Sequence, residues 1–236
     1  MRKLEELIGK LSSLDDEPAI VAKLQEIGKV LITEYEIQVG DVTVMPLWVE
    51  AYSNNKPDES KKTLFNDPFV YQVSEQKHFN SLFFHHRTDD QRNGVDICLS
   101  LGNYYLSYLL KYTLVDGIVR SQSELSPLIR DKYDKKEGVL KPKNNSTDMI
   151  SYTTRIGLSL KKEKDGEETF HLKKDYKDYK LAIVRDFDKM FITDFKFPHR
   201  EDLVKTYLEN SNDSKEEKAA FCKKVLNYCL SDYKDK

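Results

Sequence analysis

The chain has 236 residues, 39% hydrophobic and 33% charged, with a net charge of −2, enough for one large domain or two small ones around a buried core. Glycine (9) and proline (7) are too scarce for a collagen-like or low-complexity chain. No run approaches the roughly 18 apolar residues of a membrane-spanning helix, and the early acids Glu5 and Glu6 are unlike a secretory leader.

The N-terminal stretch places Leu4, Leu7, Ile8 and Leu11 at helical spacing. After the acidic turn Asp15-Asp16-Glu17-Pro18, a second such pattern runs through Ile20, Leu24, Ile27 and Leu31. A helical hairpin is predicted over residues 1–36. From Ile37 the pattern changes, with a turn at Gly40-Asp41 and a β-rich Val42-Thr43-Val44-Met45-Pro46-Leu47-Trp48-Val49. Pro46 makes this an edge strand or one with a bulge. Residues 53–63 read as a polar loop. Gly94–Ser100 and Tyr104–Leu114, joined by the turn Leu101-Gly102-Asn103, predict a hairpin, with Tyr and Thr favouring strand over helix in the second arm. Residues 121–137 predict a short helix capped by Ser121, and 138–149 a lysine-bearing loop. Arg155–Leu160 and Phe170–Leu172 flank the turn Lys164-Asp165-Gly166-Glu167 and predict a second hairpin. Leu181–Val184 is a further strand, and Lys215–Tyr233 an amphipathic helix. The predicted class is α+β with a mixed or antiparallel sheet. A single domain is expected over residues 1–236, with a core at 37–190 and a helical region at 191–236.

Cys98, Cys222 and Cys229 are odd in number and lack close CxxC spacing. This argues against a disulfide scaffold or a structural zinc site and suits a reducing cytoplasm. Charge is uneven along the chain. Residues 1–60 carry 6 basic against 12 acidic side chains, and residues 120–180 carry 15 against 11. A mildly basic middle can face phosphates, although a mixed solvated surface explains the charges equally well. The overall balance is not that of a non-specific nucleic-acid coat.

Four places can carry chemistry. Glu50, in Trp48-Val49-Glu50-Ala51-Tyr52, is a carboxylate among apolar and aromatic neighbours, suited to general-base work if buried; a glutamate at a strand end is more commonly solvated or ion-paired. The segment His78 to Arg87 holds three of the five histidines, His78, His85 and His86, together with Phe84. Aromatic rings and imidazoles stack on nucleobases, yet a core strand would look the same. Adjacent His85 and His86 would face opposite sides of a strand, and no metal-ligand spacing accompanies them. Arg155, in Thr154-Arg155-Ile156-Gly157-Leu158, can hold a phosphate or simply begin a strand. Lys111 in an apolar strand either snorkels outward or meets an acid.

Taken in order, Val49-Glu50-Ala51-Tyr52, Gly94–Ser100, Tyr108-Leu109-Leu110-Lys111 closing at Gly117, and Tyr152–Leu158 form a succession that resembles the alkyladenine (3-methyladenine) DNA glycosylase family over residues 37–190. The resemblance implies a monofunctional DNA N-glycosylase. Glu50 would be the water-activating glutamate and Tyr52 a base-stacking tyrosine, with Lys111 in place of an arginine and Ser100 in place of a pocket asparagine. The family's pocket histidine is missing from Asp67-Pro68-Phe69-Val70-Tyr71, and its tyrosine-rich strand is not recognisable. His78, Phe84, His85 or His86 would have to substitute in the base pocket, so the attacked base is not simply that of the usual members. Arg155, Lys141 and Lys143 would contact DNA. The resemblance implies DNA as the partner, duplex or single-stranded, carrying a damaged base or a modified one such as some phage genomes contain. No cofactor, metal or membrane is expected, and the working form is a monomer. Two other readings stay open: a metal-dependent nuclease with Asp96 and Glu50 as magnesium ligands and Lys111 beside them, and a non-catalytic nucleic-acid-binding module in which Glu50 is merely ion-paired.

Overall fold

The computed structural model describes residues 1–14, 16–54, 65, 67, 70–85, 94–102, 104–135, 137–144, 150–153, 155 and 179–185. The helical hairpin forms as its periodicity predicts. Helix α1 (Arg2–Leu11) buries Leu4, Leu7, Ile8 and Leu11. Helix α2 (Glu17–Glu34) starts where the Asp16 carboxylate accepts from the Ala19 N–H at 2.9 Å, with Pro18 in the first turn. It buries Ile20, Leu24, Ile27 and Leu31.

The strands are β1 (Tyr35–Val39), β2 (Val42–Asn54), β3 (Ser81–Phe84), β4 (Val95–Cys98), β5 (Tyr105–Val115), β6 (Ile118–Ser121), β7 (Leu140–Pro142), β8 (Ile150–Thr153) and β9 (Ala182–Arg185). Helix α3 (Gln122–Ile129) lies between β6 and β7. They form one sheet in the order β3-β4-β5-β2-β1-β7, and every pair within it is antiparallel. The class is α+β.

Strands β2 and β5 form the spine. Each is long enough to take two neighbours in succession along its outer side: β1 then β9 on β2, and β6 and β4 on β5. Pro46 therefore lies in a central strand, not an edge. The bulge alternative is the one realised, with register shifts between Pro46 and Trp48 and between Trp48 and Val49.

Several short strands fall where the sequence predicted none, β6, β7 and β8 among them. Asp116 and Gly117, both at positive φ (50° and 75°), turn β5 into β6, the geometry that a two-residue hairpin demands. Leu140–Pro142, predicted as loop, pairs with β1 because Leu140 is buried against Ile37. The Ser121 cap is present, reciprocated by Glu124, whose carboxylate accepts from the Ser121 N–H at 2.9 Å; this helix ends at Ile129. The hairpin predicted around 164–167, most of the 53–63 loop and the 215–233 helix lie outside the described residues.

Helices α1 and α2 cover one face of the sheet. Tyr108 donates its hydroxyl to the Leu24 carbonyl at 2.7 Å, and Tyr104 donates to that of Ile8 at 2.8 Å. Gly28 allows α2 to lie so close that a methyl there would sit 2.7 Å from Ile183 Cδ1 and 2.9 Å from Tyr108 Cε1. Among the described residues no helix is long and apolar enough to cross a membrane.

Candidate functional site

Residues directly opposite one another on antiparallel strands project to the same face. Phe83 lies opposite Asp96, Asp96 opposite Leu109, Leu109 opposite Glu50, and Glu50 opposite Ala182. One row across β3, β4, β5, β2 and β9 thus carries two acids on the face away from the helices, with Leu109 between them. The neighbouring row carries Ser81, Cys98, Ser107 and Tyr52. At about 4.8 Å per strand, the Glu50 and Asp96 backbones stand roughly 10 Å apart.

Glu50 is fully buried. Tyr52, two residues on and so on the same face, donates its hydroxyl to Glu50 Oε2 at 3.1 Å. Burial, and next the Glu50 carboxylate, hold the Tyr52 phenol well above its ordinary range, so it remains a donor. Beneath this pair lies Arg155, also fully buried. Its Nη1 donates to the Ala51 carbonyl at 3.2 Å and to Asp67 Oδ2, and Nη2 lies 3.4 Å from Asp67 Oδ1. The guanidinium sits 4.7 Å from the centre of the Tyr52 ring. Burial pushes Arg155 toward its neutral form, but Asp67, Tyr52 and Glu50 together outweigh burial and hold it a firm cation. Asp67 is completely buried as well, and its own N–H is fixed by the Ser53 carbonyl at 3.2 Å.

The other acid of the row has its own set of donors. Asp96, 2% exposed, accepts at Oδ2 from Ser107 Oγ (3.0 Å) and Gln76 Nε2 (3.2 Å), while His85 Nε2 stands 2.8 Å from Oδ1. The His85 ring belongs to an aromatic trio with Tyr71 (centroids 4.8 Å apart, edge-on) and Phe83 (5.3 Å). Tyr71 is exposed, unlike Phe83. Gly94 matters here, because a Cβ at that position would stand 2.6 Å from His85 Nδ1 and 2.9 Å from two ring carbons. Three near-equal approaches mean that the imidazole lies flat on the glycine.

The structure brings Glu50, Tyr52, Arg155 and His85 to one face and sends other predicted residues elsewhere. Phe84 is not a pocket residue: strand alternation turns it to the helix-covered face, where it packs on Tyr133 at 5.7 Å with Arg130 5.5 Å over its ring. Phe83 takes its place. Arg155 is not a phosphate contact, because its guanidinium is enclosed and paired with Asp67. His78 is exposed at the end of a 3₁₀ turn (Ser74–Lys77), and that turn contributes Gln76 instead. Ser100 is buried and splints the β4–β5 connection, donating to the Gln76 carbonyl at 2.6 Å and accepting from the Leu106 N–H at 2.9 Å.

Lys111, half-buried, is the extra residue of a bulge between the pairs Leu110–Val49 and Tyr112–Trp48. Lys141 is exposed on β7 opposite Glu36, and Lys143 follows that strand. Both belong to the far side of β1, two strands out from β2. His86 lies outside the described residues.

Sequence reasoning passed over Asp67, Gln76, Tyr71, Phe83 and Ser107. Phe83 alone had a legible signal, since it shares strand parity with His85. Lys77 is a further basic residue at this face, exposed, with its Nζ 5.2 Å over the Tyr105 ring.

A buried carboxylate with an oriented oxygen can take a proton from water, and a histidine backed by an acid can give or take one some distance away. Among the described residues no three His, Cys, Asp or Glu side chains cluster as a metal centre would require. No family model matches the sequence, and no curated protein matches it either.

Proposed function

We propose that the chain is a monofunctional DNA N-glycosylase, which extrudes a damaged or modified nucleotide and hydrolyses its N-glycosidic bond. The observation that carries this reading is Glu50. It is a fully enclosed carboxylate in mid-sheet, with one oxygen oriented by Tyr52 and with no role in the apolar core on the opposite face. Its placement agrees with the resemblance of Val49-Glu50-Ala51-Tyr52 and the later segments to the alkyladenine glycosylase family. Base excision needs the nucleotide out of the stack. Glu50 would take a proton from water as the oxygen attacks the anomeric carbon, and its negative charge would favour the cationic sugar that develops. The exposed Tyr71, beside Phe83 and His85, supplies aromatic surface for the base. Tyr52 already has Arg155 on one face, so its chief part would be to orient Glu50.

The nuclease alternative draws on the same row of acids. A single magnesium ion requires ligand oxygens about 2.1 Å from the metal, whereas Glu50 and Asp96 are separated by a whole strand and Leu109, and Asp96 is already engaged by three donors.

The test is Glu50→Gln. Purified protein is incubated with duplexes carrying alkylated, deaminated and hypermodified bases, and released base is measured by mass spectrometry. DNA binding should persist while excision falls by at least about 10²-fold. Full excision by the variant, or activity abolished by a chelator, would remove the proposal.

A further inference from the structure

We infer that His85, oriented by Asp96, is the general acid that protonates the departing base, and that the site is therefore built for neutral modified bases. The inference rests on the glycosylase reading above and names the chemical class of its substrate. A cationic N-alkylated purine leaves as a neutral molecule without help. A neutral base would leave as an anion, so its departure is slow unless a proton arrives as the bond breaks.

The geometry for such a donor stands one strand beyond the hydrolytic acid. Asp96 accepts from His85 Nε2 at 2.8 Å, which directs the other ring nitrogen, Nδ1, away from the acid. Among the described residues nothing hydrogen-bonds Nδ1. The ring lies flat on Gly94, where any side chain would displace it, and its backbone N–H is anchored to the Gly94 carbonyl at 2.9 Å. Its side chain is 14% exposed, so the imidazole is sheltered but reachable.

Asp96 is in turn held by Ser107 and Gln76, the latter fixed through its carbonyl by Ser100. An acid that neither packs the core nor meets solvent, held by Ser107 and Gln76 so that it serves one imidazole, is the arrangement that keeps a histidine in one orientation and one tautomer. The backbones of Asp96 and Glu50 stand roughly 10 Å apart on one face, and glycoside hydrolysis by inversion likewise separates its acid and its base to admit substrate and water.

In the step itself, the bond between the anomeric carbon and the base nitrogen breaks, and its electron pair leaves with the base. Nδ1–H of the His85 imidazolium delivers a proton to the base. The oxygen of the Glu50-bound water bonds to the anomeric carbon, and its proton goes to Glu50. Solvent then returns that proton to His85, leaving free base and an abasic sugar, with water the only other reactant consumed.

The experiment compares neutral bases (hypoxanthine and uracil) with cationic ones (7-methylguanine and 3-methyladenine) in duplex DNA, using the unaltered protein, His85→Gln and Gly94→Ala. The unaltered protein should release a neutral base. Both variants should lose about 10²-fold or more on it and at least about tenfold less than that on the cationic bases, while a cooperative thermal unfolding transition reports that the variants are folded. Equal losses on both classes, or an unaltered protein that releases only cationic bases, would overturn this inference and leave the Glu50 reading standing. Release of no base from any duplex would overturn both.

Discussion

The two faces of the central sheet are made by alternate residues of the same strands, yet they obey different rules. Ala51, Tyr108 and Ile183 face the helices, where the phenol hydroxyls of Tyr104 and Tyr108 end on helix carbonyls and the buried Arg185 donates to the Ile32 carbonyl. Glu50, Ser107 and Asp96 face the other way, joined by Asp67 and Arg155, and all five are buried. The first face is what a stable α+β protein needs. The second encloses three carboxylates and a guanidinium, and taking each charge out of water costs several kcal/mol before pairing offsets it. Most of that cost is gathered on one face, and this is what makes the face the candidate site.

Breaking the charged face should produce the largest change. Asp67→Ala leaves Arg155 enclosed without its carboxylate, and a loss of about 3–5 kcal/mol is expected in urea unfolding. A loss under about 1 kcal/mol would mean that the face tolerates bare charge and is wetter than its burial implies. Tyr52→Phe removes one hydrogen bond to an ionised group, with an expected cost of about 1.5–3 kcal/mol. If the charged face is the working one, kcat should fall while DNA affinity holds.

Gly28→Ala makes the matching cut on the apolar face. Overpacking against Ile183 and Tyr108 costs about 1–3 kcal/mol, partly offset by better helix propensity. Thermal unfolding should show it, with excision per folded molecule unchanged; an activity loss beyond the folded fraction would blur the division of labour.

High pH strikes both faces at once. Tyr52 and Tyr108 have phenols raised by burial above an unfolded value of about 10. Their contribution to stability is thus complete below about pH 10 and is lost as pH climbs from there toward the folded values, by about 1.4 kcal/mol per unit for each phenol. Phenolate absorbance should show these two titrating with unfolding, after the exposed tyrosines. Simultaneous titration near pH 10 in a folded protein would contradict their enclosure. The smallest effect, about 0.5 kcal/mol or less, is expected for Arg2→Ala, whose partner Glu6 at 3.1 Å is well exposed.

Most of the scaffold was legible because it is written locally. The leucine and isoleucine spacing of α1 and α2, the 94–114 hairpin and the Ser121 cap each depend on residues within a few positions of one another. Glu50 and Tyr52 were legible for the same reason, as neighbours on one strand. The partners were not: Asp67 and Arg155 are 88 residues apart, and Gln76 meets Asp96 across 20. No period or spacing announces such a pair. Phe84 was misassigned although alternation sufficed to correct it, since a strand that turns His85 toward the site must turn Phe84 away. The Asp116-Gly117 turn was likewise readable from its dipeptide.

Strand β9 closes the edge of β2 beside Glu50, with Ala182 opposite the glutamate and the Leu181 carbonyl accepting from the Ala51 N–H at 2.8 Å. A ribosome must therefore synthesise more than 130 further residues after Glu50 before that edge finds its partner. Until then the nascent chain displays a row of unsatisfied amides and carbonyls ready to recruit a foreign strand. Maturation of the site is accordingly a late event in biosynthesis, and truncations that stop short of β9 should yield aggregates and not a smaller folded protein.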